Sequence, residues 1–478
     1  MAEALLGRLV SSTVWDAFER LSRGLNVLVG LLFIRYVGPT DFGSYSYLAS
    51  MYAILAVLTN AGMDAILVRD RARANIQNDE LFRAGLALKV GAFVIVWGLG
   101  IAATWVMRPA LLGLAVLIGP MMLSSVWPYL HGVFRAVLNM RGISLALSIN
   151  TATFAGIQLV AMSAGASLRM LVLLLALKEV LATAILLLAV HRKGVAPIGS
   201  FAWRDVQYLL QESWPILISG ALCIVYTRVD QMLLMHWTTS EAVGTYAAAV
   251  RFIEYWNIIP SIVLGSLLSG LSRLVGEKER FERAARIVFR LLTVVIVPIC
   301  VVTAWYSDAI VLVLFGERFQ ASGQVLALLT WSSLFIFWGT VNNTLLIVLG
   351  RQRLDIIFTS ASFVVSIGLN VLLIPIFHER GAAVAAVACC ATGSLIGFFV
   401  RQTRRWSFEM YRSLLLPAAL SGCIILLVSM MPVLWYGQVG VFVVLYGMFY
   451  MACGIRWKLE EWDVLARALS SRGVLNAY

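Results

Sequence analysis

Charged side chains are scarce in this sequence: Asp, Glu, Lys and Arg together supply 13% of its 478 residues, about half the ~25% share found in soluble domains. A chain so poor in charge cannot cover a soluble surface. Histidine is scarcer still, with four residues, and the six cysteines (Cys223, Cys300, Cys389, Cys390, Cys423 and Cys453) all lie inside apolar runs without C-x-x-C spacing. Zinc motifs are thereby excluded; no metal site is expected, and the thiols read as small buried hydrophobes. The pattern G-x-x-x-x-G-K-[ST] is absent, which excludes ATP hydrolysis by a P-loop within this chain. The first residues, "MAEALLGRLVSSTVWDAFERLSRG", lack the basic patch and unbroken apolar core of a signal peptide. They are expected to stay attached and to face the cytoplasm.

What the chain does contain is apolar sequence, 61% hydrophobic by residue with a mean hydropathy of +0.88. These values define a polytopic membrane protein. The formal charge of +12 then belongs in loops beside anionic lipid, and nucleic acid is not an expected partner.

Apolar runs of roughly 20 residues, the length that crosses ~30 Å of hydrocarbon, recur about 14 times. The expected helical spans are 13–36, 43–67, 83–106, 110–137, 143–163, 168–190, 213–236, 243–270, 286–306, 323–349, 354–377, 381–402, 412–432 and 438–456. With both termini inside, alternate loops collect roughly 24 Lys and Arg on one side against roughly five on the other, the asymmetry expected of cytoplasmic loops. One miscounted span would invert every later loop and destroy it.

The long inside connection suggests a division into an N-terminal bundle of six helices (1–190), a cytoplasmic linker (191–212), a C-terminal bundle (213–402) and two appended helices with a tail (403–478). A weak internal repeat supports the two bundles. "DFGSYSYLAS" from Asp41 opens the second span and "AVGTYAAAVR" from Ala242 opens the eighth, sharing G-[ST]-Y; "VLNMRG" and "VLGRQR" close the fourth and tenth. Parallel repeats of this kind relate two bundles about an axis along the membrane normal.

Several ionisable residues remain inside spans after the loops are removed: Asp16, Glu19, Arg20 and Arg23 in the first, Lys89 in the third, Lys178 and Glu179 in the sixth, Arg228 and Asp230 in the seventh, Arg251 and Glu254 in the eighth. Each costs at least ~2.5 kcal/mol near the bilayer centre unless it meets a partner or a wet cavity. At ~1.5 Å per residue, Arg228 and Arg251 both lie roughly 12 Å below the outer surface, Lys178 roughly 15 Å and Arg23 roughly 20 Å. Four cations could line one cavity for an anionic substrate. The competing reading is local neutralisation: Arg251 and Glu254, at i and i+3, share a helix face. Asn26, Asn150, Asn257, Asn342, Asn343 and Asn370 read mostly as interhelical hydrogen-bonding groups. From Ser413 to Ile455 no charged residue occurs, which suits either lipid-facing packing or a groove for something as apolar as lipid.

Three stretches carry a resemblance: "FIRYVGPTDFGSYSYLASMYAILAVLTNAGMDAILVRD" from Phe33, "DQMLLMHWTTSEAVGTYAAAVRFIEYWNIIPSIV" from Asp230, and the run from Leu314 to Ala383. They resemble the polysaccharide-repeat (O-antigen and exopolysaccharide) flippases, which belong with the lipid II flippases and multidrug antiporters in one exporter superfamily. The resemblance covers roughly Val14 to Arg401. It implies an all-α polytopic fold, two six-helix bundles around a central cavity plus two C-terminal helices, in a bacterial cytoplasmic (inner) membrane. It further implies alternating access and transfer of an undecaprenyl-pyrophosphate-linked oligosaccharide to the periplasmic leaflet, with no enzymatic step. Arg251 and Glu254 match the R-x-x-E spacing of the lipid II flippases' eighth helix, and Asp230 matches the D of the family's D-x-M-L pattern.

On this reading Arg23, Lys178, Arg228 and Arg251 hold the pyrophosphate, Asp230 and Glu254 are candidates for coupling to a proton or Na+ gradient, and no cofactor is required. Membrane lipid is a partner, and a polysaccharide polymerase or other assembly proteins are possible ones. Two rivals are an ion-coupled small-molecule or multidrug antiporter, which calls for a more acidic cavity, and a membrane-embedded polymerase or glycosyltransferase, which calls for a larger outside loop than 307–322.

Overall fold

The computed structural model describes residues 26–60, 79–137, 141–192, 199–261, 277–400 and 404–457, with positions 24, 63, 263 and 264 between them. Helices account for nearly all of these, and no strand occurs among the described residues. The chain is an all-α polytopic membrane protein. Ten helices among the described residues are long and apolar enough to cross a membrane.

In chain order the helices are α1 (Asn26–Val37), α2 (Pro39–Leu55), α3 (Val57–Asn60), α4 (Asp79–Met107), α5 (Leu112–Ile118), α6 (Trp127–Val137), α7 (Arg141–Ser163), α8 (Leu168–Arg192), α9 (Trp203–Trp237) and α10 (Ser240–Trp256). They continue as α11 (Lys278–Trp305), α12 (Ser307–Phe315), α13 (Ser322–Val348), α14 (Gln352–Phe399), α15 (Arg404–Ser429) and α16 (Trp435–Trp457). Short 3-10 turns at Pro109–Leu111, Gly119–Val126 and Glu317–Phe319 link some of them.

Sequence sets several boundaries. Gly38, at φ 86, turns the chain into α2, where Pro39 occupies the first helical turn and Asp41 adds a carboxylate at the positive end of the helix dipole. Gly316, at φ 83, closes α12. The long α14 is two helices joined at His378, whose φ of 52 and ψ of −129 reverse the chain. Gly381 is required there because a Cβ would strike the Leu373 carbonyl and Ile374 nitrogen. The Cys389 thiol contacts the Ser362 carbonyl at 3.3 Å, so the two arms run antiparallel, as the separate spans 354–377 and 381–402 anticipate.

The chain forms two compact units, Met1–Gly244 and Thr245–Tyr478. The division falls inside α10, whereas the bundle division read from the sequence falls in the 191–212 connection. Helix α9 explains the shift: it packs on α2 and α4 within the first unit, with the Ser50 hydroxyl donating to the Gln231 side-chain oxygen at 2.8 Å and Arg108 donating to the Met235 carbonyl at 2.7 Å. The first three turns of α9 bury Val206 and Leu209 against Leu81, Phe82, Leu130, Phe134 and Leu186. Much of the expected linker is therefore helix.

In the second unit α11 is central. Its Thr293 hydroxyl accepts the Trp338 indole N–H from α13 at 2.9 Å and lies 3.2 Å from the Ser413 hydroxyl of α15. Tyr306 donates to the Gln438 side-chain oxygen and Tyr446 to the Val294 carbonyl, at 2.8 and 3.0 Å, which docks α16 on the same helix. Dispersion and these few interhelical bonds hold helices in a solvent where apolar burial gives no drive.

Of the cysteines, Cys300 and Cys389 are buried as expected, but Cys223 and Cys423 are exposed. Both stand on exposed faces of their helices, and an apolar run does not reveal which face a residue occupies.

Candidate functional site

Two of the expected membrane cations acquire carboxylate partners. Arg251 Nη1 lies 3.0 Å from Glu254 Oε2 on α10, the i to i+3 geometry that their spacing allows. The pair is still open, with 42% of the Arg251 side chain and 32% of the Glu254 side chain exposed, although Tyr246 to Ala249 one turn earlier are buried. The Trp256 indole N–H fixes the end of this helix by donating to the Ser333 hydroxyl of α13 at 2.8 Å. Phe252 packs edge-on against Trp256.

Lys178 Nζ lies 3.1 Å from Glu179 Oε1 on α8, inside the first unit, and both side chains are nearly buried. In sequence Glu179 is one of the ionisable residues inside the spans and carries no assigned role. Around the pair, Asn150 of α7 donates to the Lys178 carbonyl at 3.2 Å, Thr183 donates to the Glu179 carbonyl at 2.8 Å, and the Trp127 indole donates to Thr183 at 3.0 Å. Asn150 thus acts as the interhelical group expected of it. Its side-chain oxygen is buried without a hydrogen-bond partner.

Asp230 is buried on α9, where its Oδ1 accepts the Gln231 backbone N–H at 2.7 Å. Arg228, two residues earlier, is half-buried. Arg228, Asp230 and Lys178 belong to the first unit, Arg251 and Glu254 to the second. Arg23 lies outside the described residues, as do Asp16, Glu19 and Arg20.

Lys89 is a further cation, wholly buried on α4. Its ammonium donates to the Thr59 carbonyl at 3.2 Å and the Ser125 carbonyl at 3.3 Å, and lies 5.7 Å from the Tyr129 ring centre. Ser125 stands in the 3-10 segment before α6, so the lysine ties that segment and Thr59 of α3 to α4 through their backbone carbonyls. Only the fold could reveal this, because the two acceptors are far from Lys89 in sequence. No group of three or more His, Cys, Asp or Glu suited to a metal ion occurs among the described residues.

The fold is shared with membrane exporters. A solved lipid II flippase, MurJ in an inward closed conformation, superposes with a TM-score of 0.75 at 11% identity, covering 94% of this chain and 100% of that one. An inward-facing multidrug resistance transporter of the MATE family gives 0.64 at 12% identity, covering 84% and 99%.

Sequence narrows the class. The profile described as "Polysaccharide biosynthesis protein" matches residues 32–324, and the chain belongs to that family. It is 24% identical over 334 residues to the succinoglycan biosynthesis transport protein ExoT of Rhizobium meliloti, covering 66% of this chain and 65% of that protein. To a putative O-antigen transporter of Shigella flexneri it is 20% identical over 398 residues, 79% of this chain and 94% of that one. An uncharacterized membrane protein of Methanocaldococcus jannaschii is 22% identical over 217 residues, 44% of this chain and 40% of its own length. The chain thus spans well under two thirds of the archaeal relative and just under two thirds of the succinoglycan transport protein.

Proposed function

We propose that this protein is a flippase that carries an undecaprenyl-pyrophosphate-linked oligosaccharide from the cytoplasmic to the periplasmic leaflet by alternating access, for assembly of an O-antigen, capsule or exopolysaccharide. Membership of a polysaccharide biosynthesis family supports the substrate class, and a fold shared with a lipid II flippase supports the transport mode. Arg251 is the observation that carries the reading. A guanidinium that keeps 42% of its side chain exposed within a membrane-length apolar stretch, beside a carboxylate that holds its position, is placed to present paired N–H groups to a phosphate.

On this proposal Arg23, Lys178, Arg228 and Arg251 meet the pyrophosphate and any acidic sugars, while Glu254 or Asp230 couples a proton or Na+ gradient to the inward and outward states. The polyprenyl tail stays in the bilayer or beside α15 and α16, so only the headgroup crosses a polar path. The bundles 1–190 and 213–402, fourteen crossings, cytoplasmic termini, an inner-membrane location and a polymerase working downstream belong to the same proposal.

The decisive experiment is a lipid-linked oligosaccharide flipping assay on Arg251→Ala. Loss of transport by a normally inserted variant is expected, and wild-type transport overturns the assignment. The multidrug reading shares the fold; drug resistance on overexpression, with no effect on polysaccharide export, would favour it instead.

A further inference from the structure

Helix α15 turns one stripe outward along its whole length. Arg404, Phe408, Arg412, Leu415, Ala419, Cys423, Leu426 and Met430 follow the helical repeat and are all exposed, Phe408 at 61% and Leu415 at 71%. The opposite face, with Met410, Ser421, Ile424, Ile425 and Val428, is buried in the second unit. A stripe this apolar faces hydrocarbon, and Arg412 stands in it between two large apolar neighbours. Arginine at such a position extends its stem along the helix until the guanidinium reaches polar ground.

Cations of α11 lie at the same end. Thr293 against Ser413 sets the register, and Tyr306 in one cluster with Val428 shows that α11 and α15 run in the same direction. Arg290 therefore lies within ~3 Å of the axial level of Arg412, with Arg286 one turn nearer the helix start. Arg404, Arg412 and Arg286 form no ion pair among the described residues. The acids at this end are Glu277 just before α11, Glu279 and Glu282 on it and Glu409 on α15, and Glu277 is engaged by Arg280 at 2.8 Å.

We propose that the start of α15, at Arg404 and Arg412, forms a binding site for the phosphate of an anionic phospholipid, whose acyl chains lie along the Leu415 to Met430 stripe. Charge selects the headgroup, since Arg404 and Arg412 present paired N–H donors on a surface with a cationic excess. The apolar stripe selects a lipid over a soluble phosphate. This site lies on the exposed face of α15 and is independent of the proposed transport cations.

The test is native mass spectrometry of the full chain in neutral detergent, titrated separately with phosphatidylglycerol and phosphatidylcholine. Wild-type protein is expected to retain phosphatidylglycerol selectively. Arg404→Gln with Arg412→Gln should weaken that retention by ~25-fold, at about one kcal/mol per arginine, and leave phosphatidylcholine unchanged. Arg412→Lys should keep most of the selectivity. Arg404→Gln alone, at an exposed helix start, tests the site should the double variant fail to fold, with a loss of ~5-fold. Equal retention of the two lipids by wild type, unchanged phosphatidylglycerol binding in the variants, or displacement of the lipid by millimolar inorganic phosphate overturns the proposal.

Discussion

Gly43 and Gly244 occupy each other's missing side-chain space. A Cβ on Gly43 would meet the Ser240 carbonyl and the Gly244 nitrogen, and a Cβ on Gly244 would meet the Pro39 carbonyl and the Gly43 nitrogen. The relation is reciprocal: each glycine faces the carbonyl four residues before the other. These are the glycines of the two G-[ST]-Y segments, so the weak repeat in the sequence coincides with a backbone contact that only glycine permits.

Replacing either glycine should therefore separate two helices whose backbones touch. Gly43→Leu is expected to cost roughly 1–3 kcal/mol or more by overpacking, read as a lowered midpoint of thermal unfolding in detergent. Gly98→Leu, on the same kind of helix where a Cβ meets open space, should leave the midpoint nearly unchanged. Equal effects of the two would count against a specific contact.

Lys89→Met should leave the Thr59 and Ser125 carbonyls without their buried donor, at roughly 1–3 kcal/mol. The expected result is lower thermal stability and faster proteolysis near residues 56–60 and 119–126, where the helices are already interrupted. Lys89→Arg keeps a charge but carries a larger, planar head into a fully packed space, and is expected to recover only part of the loss. Wild-type stability in Lys89→Met would show that the ammonium is dispensable.

Trp338→Phe tests the junction of α11, α13 and α15. The change keeps most of the buried aromatic surface but removes the indole N–H that Thr293 accepts. About 1–2 kcal/mol of stability should be lost, and Thr293→Val should cost less in the Trp338→Phe chain than in wild type, because the two share one hydrogen bond while the Ser413 contact belongs to Thr293 alone. Additive losses would argue that the two side chains contribute separately.

Glu254→Gln separates two roles for that carboxylate. On the proposed function it should retain binding of the lipid-linked headgroup while transport in vesicles loses its dependence on an imposed proton or Na+ gradient. Full gradient dependence in Glu254→Gln, together with its loss in Asp230→Asn, would transfer the coupling role to Asp230.

The hydropathy of the chain was enough to define an all-helical membrane protein, because a backbone in hydrocarbon must satisfy its hydrogen bonds within the segment or within a closed barrel. The positions of most expected spans follow for the same reason, and helices among the described residues coincide with them. The Arg251–Glu254 pair was legible too, since i and i+3 bring side chains together on any helix.

What the sequence left open concerned faces and neighbours. Periodicity could not show that Lys178 turns to Glu179, because adjacent residues on a helix do not ordinarily face one another and their meeting depends on the packing around α8. It could not place Lys89 against the Thr59 and Ser125 carbonyls, nor show that α9 packs with the first unit, since both depend on segments distant along the chain. Apolar sequence by itself determined that this chain enters a membrane and does so as helices. Tertiary structure decided which charges are paired, which backbone carbonyls a buried lysine reaches and which arginines face outward, because in a helix those properties depend on what the neighbouring helix presents.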